Sequence, residues 1–190
     1  IVYEFTGSAC EGYSTNYRFV SQMNLQESQR MNDYQITTFE DGEGKSFDFV
    51  TKFFVDDGLD KETKGSASVD GQEMAVKLQK PTPETIELPL TRFPTQHMIE
   101  LIDKAKSGEN FYETTIFDGS DDAKKVMTTT VIIGKKTAPA AGDPELPALK
   151  SLEGESYWPV SIAYFDLSKE DGEEVPDYAI SFKLCENGFT

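Results

Sequence analysis

The chain has 190 residues, with 34 Asp and Glu against 18 Lys and Arg, for a formal net charge of −16. That balance excludes a protein built to grip a phosphate backbone, which needs clustered cations. No window reaches the roughly 18 apolar residues of a membrane-spanning helix.

The length suits one domain over residues 1–190 with a substantial core. Hydrophobic residues make up only 37% of the chain but aromatics reach 12%, so large rings must supply much of that core. The chain opens on Ile1 directly in a strand-like run, Ile-Val-Tyr-Glu-Phe, and reads as a mature or trimmed fragment that has no signal peptide.

Cys10 follows, in Gly-Ser-Ala-Cys-Glu-Gly, and its only companion is Cys185 near the other end. An even count with nearly the whole chain between the two suggests one front-to-back staple, and hence an oxidising compartment. Closing so long a loop removes about 5 kcal/mol of denatured-state freedom in the chain-entropy model. The alternative is two unrelated buried thiols.

Period-two alternation dominates the rest. Residues 13–25 set Tyr17, Phe19 and Met23 against Asn16, Arg18 and Gln22. Residues 46–55 put Phe47, Phe49, Phe53 and Val55 on one side. Residues 157–165 do the same with Trp158, Val160, Ile162 and Tyr164, and the last strand with Tyr178, Ile180, Phe182 and Leu184. Cys185 then falls on the polar side of that strand, with Ala179, Ser181 and Lys183. One-sided patterns of this kind mark antiparallel strands with one buried face, where parallel strands would read as continuous apolar runs.

Asp41-Gly42, Asp57-Gly58, Asp70-Gly71 and Asp118-Gly119 are hairpin signals, the last between strands at 111–117 and 125–133. Lys80-Pro81-Thr82-Pro83 separates two further strands, 73–79 and 85–88. One segment has helical spacing: 95–107 repeats Met98, Leu101, Ile102 and Ala105 after Pro94 and stops at Gly108. The Pro-containing stretch 137–150 reads as a long connection inside one domain, and 166–177 as an acidic, solvated turn. The predicted fold class is mainly β: a single curved antiparallel sheet packing on a helix.

Motifs for chemistry fail on inspection. Gly44-Lys45-Ser46 resembles the tail of a phosphate-binding loop, but Phe39 stands where the leading Gly belongs and a strand follows instead of a helix. The acidic turn at Asp118 has Ala123 and Thr129 where a calcium loop needs Gly and Glu. His97 is the only histidine, with no spacing for a zinc site and no nucleophile elbow to serve. No catalytic residue, metal or cofactor is therefore assigned. What remains is a candidate apolar groove, or equally a core, made of Phe47, Phe49, Phe53, Met98, Leu101, Ile102, Trp158, Ile162 and Tyr164.

Five segments carry a resemblance: Gly7-Ser8-Ala9-Cys10-Glu11-Gly12-Tyr13; Leu88-Pro89 leading to Phe93-Pro94-Thr95-Gln96-His97; Phe117-Asp118-Gly119-Ser120-Asp121; Trp158-Pro159-Val160; and Cys185-Glu186-Asn187-Gly188. Together they resemble the EipB-like cell-envelope integrity family of alphaproteobacterial periplasms. The resemblance implies a disulfide between Cys10 and Cys185 and a spiral-like sheet akin to the lipoprotein carriers LolA and LolB and the stress sensor RseB. It also implies a periplasmic, non-enzymatic role through contact with lipid, lipoprotein or an envelope protein, a periplasmic tetratricopeptide-repeat protein among the partners. Family members usually carry an extra amino-terminal segment that is absent here.

Overall fold

The computed structural model describes residues 1–24, 29–120, 122–140, 142–143, 156–166, 175–188 and 190. The chain runs β1 (Val2–Ser8), β2 (Gly12–Asn24), β3 (Gln29–Glu40), β4 (Ser46–Val55), β5 (Gly58–Asp70), β6 (Glu73–Lys80), β7 (Glu84–Pro89), α1 (Pro94–Ser107), β8 (Phe111–Ile116), β9 (Met127–Ile133), β10 (Tyr157–Phe165) and β11 (Tyr178–Cys185). Among the described residues it is mainly β with one helix, and each strand pairs antiparallel with its neighbour, as the alternation implied. The strands form two sheets rather than one: a seven-stranded meander β1 to β7, and a four-stranded meander in the order β11-β10-β9-β8. Pro89 ends the first meander and Pro94 opens the helix, and a ring nitrogen cannot donate to a further ladder.

The described residues gather into two compact units. Unit 1 is Ile1–Thr95 with Phe117–Val126, and unit 2 is Gln96–Ile116 with Met127–Thr190. The acidic turn at 166–177 and the connection at 137–150 lie outside the described residues at 167–174, and at 141 and 144–150, respectively.

In unit 1, two hairpins turn one residue away from the expected Asp-Gly pair. Val55 pairs directly with Gly58, so Asp56 and Asp57 make the turn between β4 and β5, at φ 50° and 65°. Aspartate tolerates this left-handed region, and two such residues match the twist of the flanking strands. Asp70 likewise pairs with Glu73, leaving Gly71 and Gln72 as the loop. Between β3 and β4, the Asp41 carboxylate accepts from the backbone N–H of Glu43 at 2.8 Å and from that of Ser46. Partial burial pushes the Asp41 carboxyl up, but the hydrogen bonds from Ser46, Lys45 and Glu43 outweigh it and hold the group below its ordinary value.

The core of unit 1 joins Phe47, Phe49, Ala67, Met74, Val76 and Leu78 on the sheet to Phe93, Phe117 and Ala123 outside it. Four of these rings interlock: Phe47 and Phe93 stack at 5.2 Å, and Phe117 meets Phe49 edge-on at 5.8 Å. Gly119, at φ 69°, lies so close beneath Phe49 that a Cβ there would sit 2.6 Å from the ring. Asp118-Gly119 is therefore part of the core's cover rather than a tight turn, and the β8–β9 link is the whole of Phe117–Val126.

α1 begins at Pro94, one residue before the expected start, and belongs to unit 2 from Gln96 onward. It closes at Gly108, whose φ of 82° lets the Gly108 and Glu109 N–H groups reach the carbonyls of Ala105 and Lys104. The helix buries His97, Leu101 and Ala105, a stripe with a spacing of four. Leu101 and Ala105 pack with Tyr112, Val131, Trp158, Val160, Ile162 and Leu184 from all four strands. The histidine heading the stripe is 3% exposed, and its Nε2 lies 3.2 Å from the Thr129 hydroxyl, which in turn donates to the Thr114 carbonyl.

Alternation in the last strand holds only in part. Tyr178 and Ile180 are exposed because β11 is an edge strand, and burial begins at Leu184 and Cys185. Cys185 keeps the register of Lys183 and Ser181, as the alternation implied, but lies buried at the strand's end. The cover there outweighs strict alternation.

Candidate binding surface

A strand's side chains alternate between faces, so the pairing register of the seven-stranded sheet states which residues share a face. Tyr3 pairs with Tyr17, Tyr17 with Ile36, Phe19 with Tyr34, and Tyr34 with Phe53. Farther along the same face, Phe49 pairs with Gly65, Phe47 with Ala67, and Ala67 with Val76. One apolar face therefore runs from β1 to β6, and its two halves differ in cover. Phe47, Phe49 and Val76 are buried beneath Phe93 and Phe117. At the β1–β3 end, Tyr3 is 63% exposed, Phe5 47%, Phe19 38% and Met23 45%. Tyr13, Tyr17, Tyr34, Ile36 and Phe53 between them are half-buried. The rings there are ordered by contact: Phe5 stacks on Tyr13 at 5.7 Å, and Tyr34 meets Phe53 at 6.4 Å.

The reverse face of β2 and β3 carries an ion pair. The Arg18 guanidinium donates from Nε to Asp33 Oδ1 at 3.0 Å and from its terminal nitrogen to Oδ2 at 2.8 Å, with Gln35 adding a third donor at 2.9 Å. The hydrogen bond from Arg18 holds the Asp33 carboxyl below the usual carboxylate range.

The nine apolar candidates divide between the two units. Phe47 and Phe49 lie in the core of unit 1, and Phe53 sits at the start of its exposed half. Leu101, Trp158, Ile162 and Tyr164 belong to the core of unit 2, with Met98 and Ile102 packed against it. The exposed residues Tyr3, Phe5 and Phe19 were legible as alternating strand but carried no signal of exposure. β3 went unread, although Tyr34 and Ile36 alternate there. Unit 2's rings are capped by cations: Lys136 Nζ lies 4.4 Å from the Trp158 ring centre and pairs with Glu186 at 2.7 Å.

Cys10 is exposed in unit 1 and Cys185 buried in unit 2, with no disulfide among the described residues. No three His, Cys, Asp or Glu side chains come together there as a metal site, and no described helix is long and apolar enough to cross a membrane.

These features define a class: an open antiparallel β protein with one helix among the described residues, whose larger sheet leaves half of an aromatic face uncovered. Within that class the chain belongs to the EipB-like family, whose model matches residues 1–190. It is 50% identical over 191 residues to the cell envelope integrity protein EipB of Brucella abortus strain 2308, covering all of this chain and 67% of that one. A crystal structure described as a beta-barrel-like protein of domain of unknown function DUF1849, also from Brucella abortus, superposes with a TM-score of 0.90 at 50% identity. That match covers 98% of this chain and 76% of the other.

Proposed function

We propose that this protein supports cell-envelope integrity from the periplasm without catalysing a reaction. It does so by holding an apolar partner, the acyl chain of a lipid or lipoprotein, on the uncovered half of the seven-stranded sheet. One observation carries the binding claim: the face that forms a closed core at Phe47 and Phe49 continues, exposed, through Phe19, Tyr3 and Phe5. Contiguous apolar surface of this kind marks interaction sites. The name of the 50% identical relative supports the envelope role. An oxidising location also suits a Cys10–Cys185 bond as a staple. The chain leaves or re-enters unit 1 after Thr95, Ile116 and Val126, which supports reading residues 1–190 as one domain.

The test is native mass spectrometry of protein purified from an envelope fraction, together with titration by a fluorescent fatty-acyl probe. Co-purifying lipid is expected, as is probe binding that Phe5→Ser and Phe19→Ser abolish. No lipid and no probe uptake would remove the acyl reading.

A second reading, an interaction scaffold with filled cores and no ligand pocket, is favoured by the burial of Phe47, Phe49 and Leu101. Its test is a pull-down with a periplasmic tetratricopeptide-repeat protein, expected to fail for the same two variants.

A further inference from the structure

The reverse face of the seven-stranded sheet carries a second feature, a concavity of about 350 Å³ within unit 1. The register sets Ser14, Phe39 and Asp48 in one cross-strand row and Asn16, Thr37, Val50 and Lys64 in the next. Gln79 closes the far side.

Phe39 is the plate of this site. Its ring lies over Gly12, where a Cβ would come within 2.6 Å of Cζ, and the residue stays 39% exposed. Gly12, at φ 82°, has no Cβ, and this leaves room for the ring over its backbone. Thr37 donates its hydroxyl proton to Asn16 Oδ1 at 3.1 Å, so the amide's oxygen is engaged and its NH₂ group is left to donate. The β5–β6 register slips between Lys64 and Gly65, and a bulge bends the strand and re-aims its side chains at this point.

An exposed aromatic plate ringed by the hydroxyls of Ser14 and Thr37, two amides, one carboxylate and one ammonium has a specific complement. An acyl chain would bury those polar groups without hydrogen bonds, at a cost for each. A phosphorylated or sulfated ligand would face Asp48 and a chain of net charge −16. A pyranose ring instead offers an apolar C–H face to the plate and a rim of hydroxyls to the polar groups. We propose that this concavity binds a neutral pyranose unit of a glycan.

The experiment is titration of the ¹⁵N-labelled protein with tetra-N-acetylchitotetraose and, separately, with maltotetraose. Amide shifts clustered at Asn16, Phe39, Val50 and Lys64 are expected with at least one sugar. Phe39→Ala should weaken binding about tenfold or more, and Phe19→Ala, on the opposite face, should bind as the wild type does. Absence of shifts with both sugars, shifts confined to other residues, or unchanged binding by Phe39→Ala would overturn the proposal. If Phe39→Ala loses its folded spectrum, Asn16→Ala decides: weakened binding supports the site and unchanged binding overturns it.

Discussion

The two sheets solve the same problem differently. In unit 2, four strands of six to nine residues meet a helix of 14, and its stripe of Leu101 and Ala105 packs on all of them. In unit 1, β2, β3 and β5 run to 12 or 13 residues, and Phe93 and the segment Phe117–Val126 supply cover. That cover reaches the β4–β6 half of the apolar face and not the β1–β3 half. The comparison teaches that apolar alternation buys burial only where something is supplied to pack on it. Where nothing is supplied, the same pattern becomes a surface available to a partner.

The sharpest way to break this contrast is to truncate one ring on each half. Phe49→Ala should lose about 3–5 kcal/mol in urea unfolding, through lost transfer energy and the cavity left behind. Phe19→Ala should lose less than about 1 kcal/mol. Equal losses would mean that the β1–β3 half is as covered as the core.

The next effect tests the staple. Cys10→Ser and Cys185→Ser should each lower stability by about 2–5 kcal/mol under non-reducing conditions, and reductant should then add nothing to either. Peptide mapping without reductant should recover the two cysteines in one linked species. Wild-type melts unchanged by reductant would contradict the pairing.

A smaller loss is expected from Gly119→Ala, about 1–3 kcal/mol, because the left-handed backbone is strained for alanine and the new methyl meets the Phe49 ring. The same change at Gly71, which has a similar φ of 68° but nothing within 4 Å, should cost less, isolating the steric part.

The smallest effect concerns the ion pair on the reverse face of the uncovered half. Arg18 lowers the Asp33 carboxyl in the folded protein, so as pH falls the unfolded chain takes up that proton first. The pair's contribution is present above the unfolded value, about 4, and is lost as pH falls through the lower folded value. Acid unfolding of Asp33→Asn should therefore be shallower below about pH 4 than that of the wild type. Parallel acid limbs would show that the pair contributes nothing.

Local chemistry was readable directly. Alternation gave most strands, and Pro94 and Gly108 bounded the helix to within one residue, because caps and breakers act over a few neighbouring groups. The two hairpins displaced by one residue show the limit of that reading. Asp56 and Asp57 tolerate φ above zero nearly as Asn and Gly do, so residue type alone does not position the turn. The candidate site was less legible. Phe49 and Phe19 alternate identically in the sequence, yet one is sealed by Phe117 and the other is open.

The sequence by itself determined an acidic, antiparallel, mainly β chain with one amphipathic helix, because charge, period-two patterning and capping are properties of residues and their near neighbours. Only the tertiary structure decided that the strands divide into two sheets and that Phe47 and Trp158 belong to different cores. It also decided that the apolar face of β1–β3 stays uncovered. Burial depends on which distant segment arrives to exclude water, and the residues that do so here, 93 and 117–126, lie tens of positions from the strands they seal.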